Sequence, residues 1–211
     1  MDSQQNSKTA WYVGAAIALV VAVAAVVAIT AGGDDEKKVP VEAGIEQVRP
    51  ITVAGPPLPE FPSDGADPAI GGEAPILTGQ SFDGAARTTR SDSPRLLVFF
   101  AHWCPHCQRE VPVLVSWEAD GNVPEGLEVI GISTGVRADA PNYPPSAWLE
   151  KEKFPWPVIA DDADQAGGTA MGLTSYPYFV LLDADGNVAW RSTGEVDPDD
   201  LTSAITAALG I

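Results

Sequence analysis

The amino-acid sequence predicts an α/β sandwich on a mixed central sheet, preceded by one transmembrane helix. Two patterns carry that prediction. Residues 11–31, WYVGAAIALVVAVAAVVAITA, are apolar, uncharged and free of proline. From about residue 75, apolar runs of strand length alternate with helical segments and end in a hairpin, the layout of helices packed on a sheet. The expected organisation is a cytoplasmic head at 1–10, a membrane anchor at 11–31, a Pro/Gly-rich tether at 32–74 and a folded domain at 75–211.

The anchor is argued from length. At about 1.5 Å per residue, the 21-residue run 11–31 spans about 31 Å, the thickness of a bilayer's hydrocarbon core. Trp11 and Tyr12 stand at one end, where aromatic rings favour the headgroup region. A cleaved signal peptide is the rival, although its apolar stretch usually runs only about 7–15 residues. Lys8 and the α-amino group on one side nearly balance Lys37 and Lys38 on the other. A short polar head is easily kept in the cytosol, so the expected topology is a single pass in the cell membrane with the domain outside the cytosol. The stretch 48–75, VRPITVAGPPLPEFPSDGADPAIGGEAP, has many prolines and no sustained period. It reads as a semi-rigid spacer.

ILTGQSFDGAARTT (76–89) reads as a hairpin turning at Asp83-Gly84. RLLVFF (95–100) is a continuous apolar run, typical of a strand buried on both faces. A helix should run from about Cys104 to Ala119, with Pro112 inside it to kink it. LEVIGIS (127–133) reads as a second buried strand and PPSAWLEKEKF (144–154) as a helix opened by proline. PVIA is a short strand ending at Asp161 and Asp162, which read as a solvated turn. DQAGGTAMG reads as a short helix weakened by glycine. YFVLL and NVAWRS pair around DADGN (183–187). In DPDDLTSAITAAL (197–209), Asp197 is a natural cap, Pro198 suits the first position and acids fill the first turn.

Composition narrows the function. The net charge is −17 and only 12 residues are Lys or Arg, whereas a nucleic-acid surface needs clustered cations. Nucleic acid is therefore discounted as a partner. No Gly-rich phosphate loop or Ser-His-Asp set is present. Trp117, Trp148 and Trp156 read as packing residues.

Chemistry concentrates in FFAHWCPHC (99–107), which holds the chain's only two cysteines, Cys104 and Cys107, and its only two histidines, His102 and His106. A structural zinc site usually takes four ligands, and here all would crowd onto one turn. Copper suits thiolates and imidazoles but no His or Cys remains elsewhere to complete a site. A disulfide closing so small a ring removes little unfolded-chain entropy. Redox cycling fits better. A buried strand runs into a loop and a helix starts at Cys104, where backbone N–H groups and the helix dipole favour a thiolate. Cys104 is then the attacking sulfur and Cys107, one turn on, the resolving one. Pro105 pre-sets the first helical turn. His106 can offer positive charge or a donor to Cys104. Trp103 shapes the partner surface, and His102 reads as a surface-loop residue.

FFAHWCPHCQREVP resembles the active-site segment of the thioredoxin superfamily, Pro112 included, and TSYPYFVLLDADGNV (174–188) resembles its cis-proline loop and hairpin. The resemblance implies a three-layer thioredoxin-like sandwich with Pro177 cis beside the cysteines, Tyr176 before it, and substrate backbone pairing with that loop. The anchor, the leading hairpin and the inserted helix at 144–154 make the chain similar to the membrane-anchored TlpA/ResA/DsbE-like branch. Two features depart from that branch. Val98 stands six positions before Cys104, where members often carry an acid or amide, leaving Glu110 or water as proton acceptor for Cys107. The inner Pro-His pair resembles the DsbA oxidase instead.

The resulting expectation is a membrane-tethered extracytoplasmic thiol–disulfide oxidoreductase, its direction open. Its partners would be exported protein thiols or disulfides, a membrane redox partner and, through 11–31, the lipid bilayer. It needs no soluble cofactor or metal, only the Cys104–Cys107 disulfide. The alternatives are a copper metallochaperone using the same cysteines and a binding module in which they are incidental. A peroxidase is disfavoured because AHWC lacks the usual upstream threonine.

Overall fold

The computed structural model describes residues 44–211. The expected head and anchor lie outside the described residues. Among the described residues, no helix is long and apolar enough to cross a membrane.

Among the described residues eight strands and four helices follow in order: β1 (Thr52–Ala54), β2 (Ile76–Gln80), β3 (Ala86–Thr88), β4 (Arg95–Phe100), α1 (Pro105–Ala119), β5 (Glu128–Ser133), α2 (Pro145–Glu152), β6 (Val158–Ala160), α3 (Ala166–Ala170), β7 (Tyr178–Leu182), β8 (Val188–Thr193) and α4 (Pro198–Leu209). The strands make one mixed sheet in the order β1-β2-β6-β5-β4-β7-β8, with β3 paired to β2. β4–β5 and β5–β6 are parallel; β4–β7, β7–β8 and β2–β6 are antiparallel. The mixed sheet, and the order of elements from β2 onward, match the sequence expectation.

All six residues of β4 are buried. Successive strand side chains point to opposite faces, so Leu96, Val98 and Phe100 join one apolar cluster, while Leu97 and Phe99 join another. The first cluster lies under α1, α2 and α4 through Val111, Leu114, Trp117, Trp148, Leu201 and Ile205. Trp117 and Trp148 are buried and Trp156 packs against Trp117, as expected. The α4 cap also forms as expected: the Asp197 side chain accepts from Asp199 N–H.

The second cluster is covered by α3 and by a segment the sequence assigned to the tether. Leu58, Ala69 and Ala74 are buried against Leu77, Phe99, Ile132 and Tyr178. The tether expectation through residue 74 is thus corrected from residue 44 onward. β1 pairs with β2. Leu58 N–H donates to Ala170 O at 2.8 Å, Phe61 N–H to Gly172 O at 2.8 Å, and Gly71 N–H to Val188 O at 2.8 Å. The segment hid from pattern reading because its buried side chains are irregularly spaced and the partners of Leu58, Phe61 and Gly71 lie more than 100 residues away. A second correction concerns Asp161, which is fully buried. Its carboxylate accepts from Asp162, Gly167 and Gly168 N–H at 2.9, 2.9 and 3.0 Å, so α3 draws it out of solvent.

Arg191 on β8 pins this segment. Its fully buried guanidinium pairs with Asp67 and donates to Pro59 O at 2.9 Å and to the Tyr178 hydroxyl at 3.0 Å. Burial alone would raise the Asp67 carboxyl, but Arg191 and the Ala69 N–H outweigh it and hold it below its ordinary value. Gly172, at φ +78°, sits so close that a Cβ would meet Pro59 O at 2.3 Å. Removing one partner of a buried pair strands the other charge, so Arg191→Ala should lower stability by about 3 kcal/mol in urea unfolding. It should also open residues 56–70 to limited proteolysis.

Candidate active site

β4 ends at Phe100, and Cys104 N–H donates back to Ala101 O at 3.0 Å, closing the turn that starts α1. Cys104 is the N-cap, with extended backbone (φ −73°, ψ 121°), and Pro105 takes the first helical position. This setting aims the free N–H groups of the first turn at the Cys104 side. Both cysteines are free thiols. Cys104 is 6% exposed and Cys107 is 0% exposed. Burial pushes the Cys107 thiol far up, the Ala101 backbone opposes, and the charge of Cys104 adds to the rise.

Seventy-two residues downstream, Tyr176 brings its carbonyl to 3.8 Å from Cys104 Sγ. The Tyr176–Pro177 peptide is cis, as is Tyr143–Pro144, which carried no sequence signal beyond the proline itself. Pro177 O is held by Gly194 N–H at 2.8 Å and the Thr193 hydroxyl at 3.2 Å. Trp103 meets the Tyr176 ring edge-to-face at 6.0 Å and donates its indole N–H to Gly135 O at 2.7 Å. Arg137 lies over the Trp103 ring at 5.2 Å. The structure therefore gathers Trp103, Cys104, Pro105, Cys107, Tyr176 and Pro177 at one place.

The histidines are arranged differently from expectation. His102 is fully buried, not a surface residue. Its Nδ1 lies 2.7 Å from Pro141 O, and its Nε2 accepts from Arg137 N–H at 3.2 Å. Those partners assign the neutral tautomer with hydrogen on Nδ1. Burial lowers the His102 imidazole below its ordinary value, the charge of Arg137 adds to the effect, and its backbone bonds oppose it. The partners come from a loop some 35–39 residues away, invisible to local pattern. His106 does stand beside the cysteines, but its Nδ1 lies 2.7 Å from Glu195 Oε1 and 3.0 Å from Arg109 Nη2. Among the described residues no hydrogen bond joins it to Cys104.

Val98 is fully packed and offers Cys107 no polar group. Glu110 does. It lies three residues beyond Cys107 on the same helix face and is 2% exposed. Its carboxylate accepts from Val196 N–H at 3.3 Å. Burial raises it to about 7, the Val196 bond opposes, and Glu195 adds to the rise. Sequence reasoning named Glu110 without placing it; its i, i+3 spacing from Cys107 was the available signal.

The fold is thioredoxin-like, with two free thiols one helical turn apart at the start of α1. Residues 70–209 match the Redoxin family, and the chain belongs to it. The chain is 31% identical over 123 residues to the methylamine utilization protein MauD of Methylobacillus flagellatus, a match covering 56% of this chain. It spans just over half, 55%, of that relative's length. It is 26% identical over 147 residues to the thiol:disulfide interchange protein DsbE of Escherichia coli, covering 64% of this chain and 75% of that one. A solved thiol:disulfide interchange protein from Chlorobium tepidum shares the fold at 23% identity, with a TM-score of 0.54 over 70% of this chain and all of that one.

The His102 geometry sets an acid limit. Unfolded, the imidazole binds a proton below its ordinary value of about 6.5; folded, it resists protonation, so stability falls as pH drops below about 6.5, by up to about 1.4 kcal/mol per pH unit. Glu110, raised in the fold, contributes the opposite slope over part of that range. The urea midpoint at pH 7.5 minus that at pH 5 should therefore be lower in His102→Gln than in wild type, because only the opposing Glu110 slope is left.

Proposed function

We propose that this chain is a membrane-tethered, extracytoplasmic thiol–disulfide oxidoreductase that exchanges disulfides with exported proteins through Cys104 and Cys107. The observation that carries the reading is the stacking of three features. Cys104 caps a helix and is slightly open, Cys107 is sealed one turn beneath it, and the Tyr176 carbonyl before Pro177 lies 3.8 Å from Cys104 Sγ. The 21-residue apolar run 11–31 supports the tether.

In the reducing direction the Cys104 thiolate attacks one sulfur of a substrate disulfide and expels the other as a thiolate. Cys107 then gives its proton to Glu110 and attacks Cys104 Sγ, releasing the second substrate thiolate. Two electrons pass from the cysteine pair to the substrate, and the pair ends as a disulfide. The oxidising direction is the reverse. Glu110 suits the proton transfer because a base poised near neutrality can both take and return a proton, and Cys107, buried and reluctant to ionise, needs one close by. The Tyr176–Pro177 backbone and the Trp103 ring form the wall against which a substrate chain lies, and Pro105 holds the first turn of α1. No soluble cofactor takes part; the cysteine pair carries the electrons. No group of three or more His, Cys, Asp or Glu is placed to hold a metal ion among the described residues.

Cys104→Ser should abolish insulin-disulfide turnover, and undiminished turnover sinks the reading. Cys107→Ala should accumulate substrates as mixed disulfides on Cys104, visible as bands released by reductant. The reduction potential separates the directions: a value near −120 mV marks an oxidant and one near −270 mV a reductant. Below pH 7 Glu110 is protonated and cannot accept, so wild-type resolution should speed up as pH rises through about 7. In Glu110→Gln it should be roughly a hundredfold slower and flat across that range in stopped-flow measurement.

A further inference from the structure

Next to the cysteine pair stands a charge cluster that the exchange steps do not use. Glu195 lies in the loop between β8 and α4, and its carboxylate grips Arg109 three ways: Nη2 to Oε1 at 2.6 Å, and Nε to Oε1 and Oε2 at 3.1 and 3.0 Å. The same Oε1 lies 2.7 Å from His106 Nδ1, and Arg109 Nη2 lies 3.0 Å from that nitrogen. The loop carrying Glu195 is fixed on both sides. Gly194 N–H donates to Pro177 O at 2.8 Å, and Val196 N–H donates to Glu110. Three consecutive residues thus touch the cis-proline loop, the Arg109 and His106 side chains, and Glu110.

We propose that Glu195 is a positioning residue of the redox centre, holding Arg109 and His106 as a charge-compensated cluster beside Cys104 and so setting how strongly oxidising the Cys104–Cys107 disulfide is. This rests on the oxidoreductase reading. An exposed cluster of this kind contributes little to stability, so its effect belongs in the charge felt by the sulfurs. Arg109 is always cationic, and the charge of Cys104 is among the influences acting on it. Bonds to Arg109 and then His106 pull the Glu195 carboxyl down to about 2, so it stays anionic across the working range. A cation beside Cys104 stabilises its thiolate, hence the dithiol, and makes the disulfide the stronger oxidant. Glu195 offsets that charge. The Pro-His dipeptide alone points to an oxidant; Glu195 restrains it.

The test equilibrates the full-length protein with glutathione at pH 7: protein disulfide and two glutathione thiols against protein dithiol and glutathione disulfide. In low salt, Glu195→Gln should shift the equilibrium constant about threefold to tenfold towards the dithiol, a tenfold shift being about 30 mV. Arg109→Gln should shift it the opposite way, and Glu195→Asp should recover most of the wild-type value. The Glu195→Gln difference should shrink at 1 M salt, as screening requires, while the urea midpoint stays put. A Glu195→Gln constant within twofold of wild type in low salt, or a shift towards the disulfide, overturns the inference and leaves the oxidoreductase reading standing. Wild-type protein that shows no dithiol–disulfide equilibrium at all overturns both.

Discussion

The structure depends on burying β4 on both faces. Its five apolar residues, Leu96 to Phe100, alternate between two apolar clusters, and each cluster must be sealed from water. Sealing the first brings in α1, α2 and α4. Sealing the second draws residues 44–74 out of solution and onto the sheet, where Arg191 locks them against Asp67. The same burial makes the strand end abruptly at the edge of the core. The chain leaves β4 into a tight turn, and α1 begins at Cys104. The reactive sulfur is near the surface because its strand is not, and Cys107 is sealed because α1 lays that face on the core.

Two carboxylates near the thiols show how environment assigns roles to one functional group. Glu110 is enclosed by α1 and the β8–α4 loop, where desolvation penalises the charged form and lifts it to about 7. Glu195 belongs to that same loop but faces solvent, and its bonds to Arg109 and His106 draw it down to about 2. One is poised to exchange a proton; the other is a standing negative charge. They influence each other, since Glu195 adds to the rise at Glu110. The loop from Gly194 to Val196 therefore couples the exposed and buried sides of the cysteine pair, and it reaches Pro177 as well.

Wherever a pattern is local, it was readable. The continuous apolar run of β4, the proline opening α1, the Asp197 cap of α4 and the Cys-x-x-Cys spacing are properties of a few adjacent residues, and periodicity or capping chemistry reports them. The errors share one cause. Residues 44–74, His102 and Asp161 all owe their state to atoms distant in the chain or to a fold-level fit. Leu58 needs Ala170, and His102 needs Pro141 and Arg137. Asp161 looked like a turn acid because nothing in its neighbours shows that α3 would present two glycine N–H groups to it. The Glu195 partner of His106 lies 89 residues away and left no local signal.

By itself, then, the sequence determined the order of strands and helices from β2 onward, the pairing of two cysteines one turn apart at a helix start, and the apolar run at 11–31. Hydrophobic periodicity and backbone stereochemistry act over a handful of residues and leave their mark there. Only the tertiary structure decided which carboxylate attends which group, which histidine is buried, and that residues 44–74 belong to the domain. Burial and charge pairing are set by what folding brings together across tens to more than a hundred residues, and no local pattern records that.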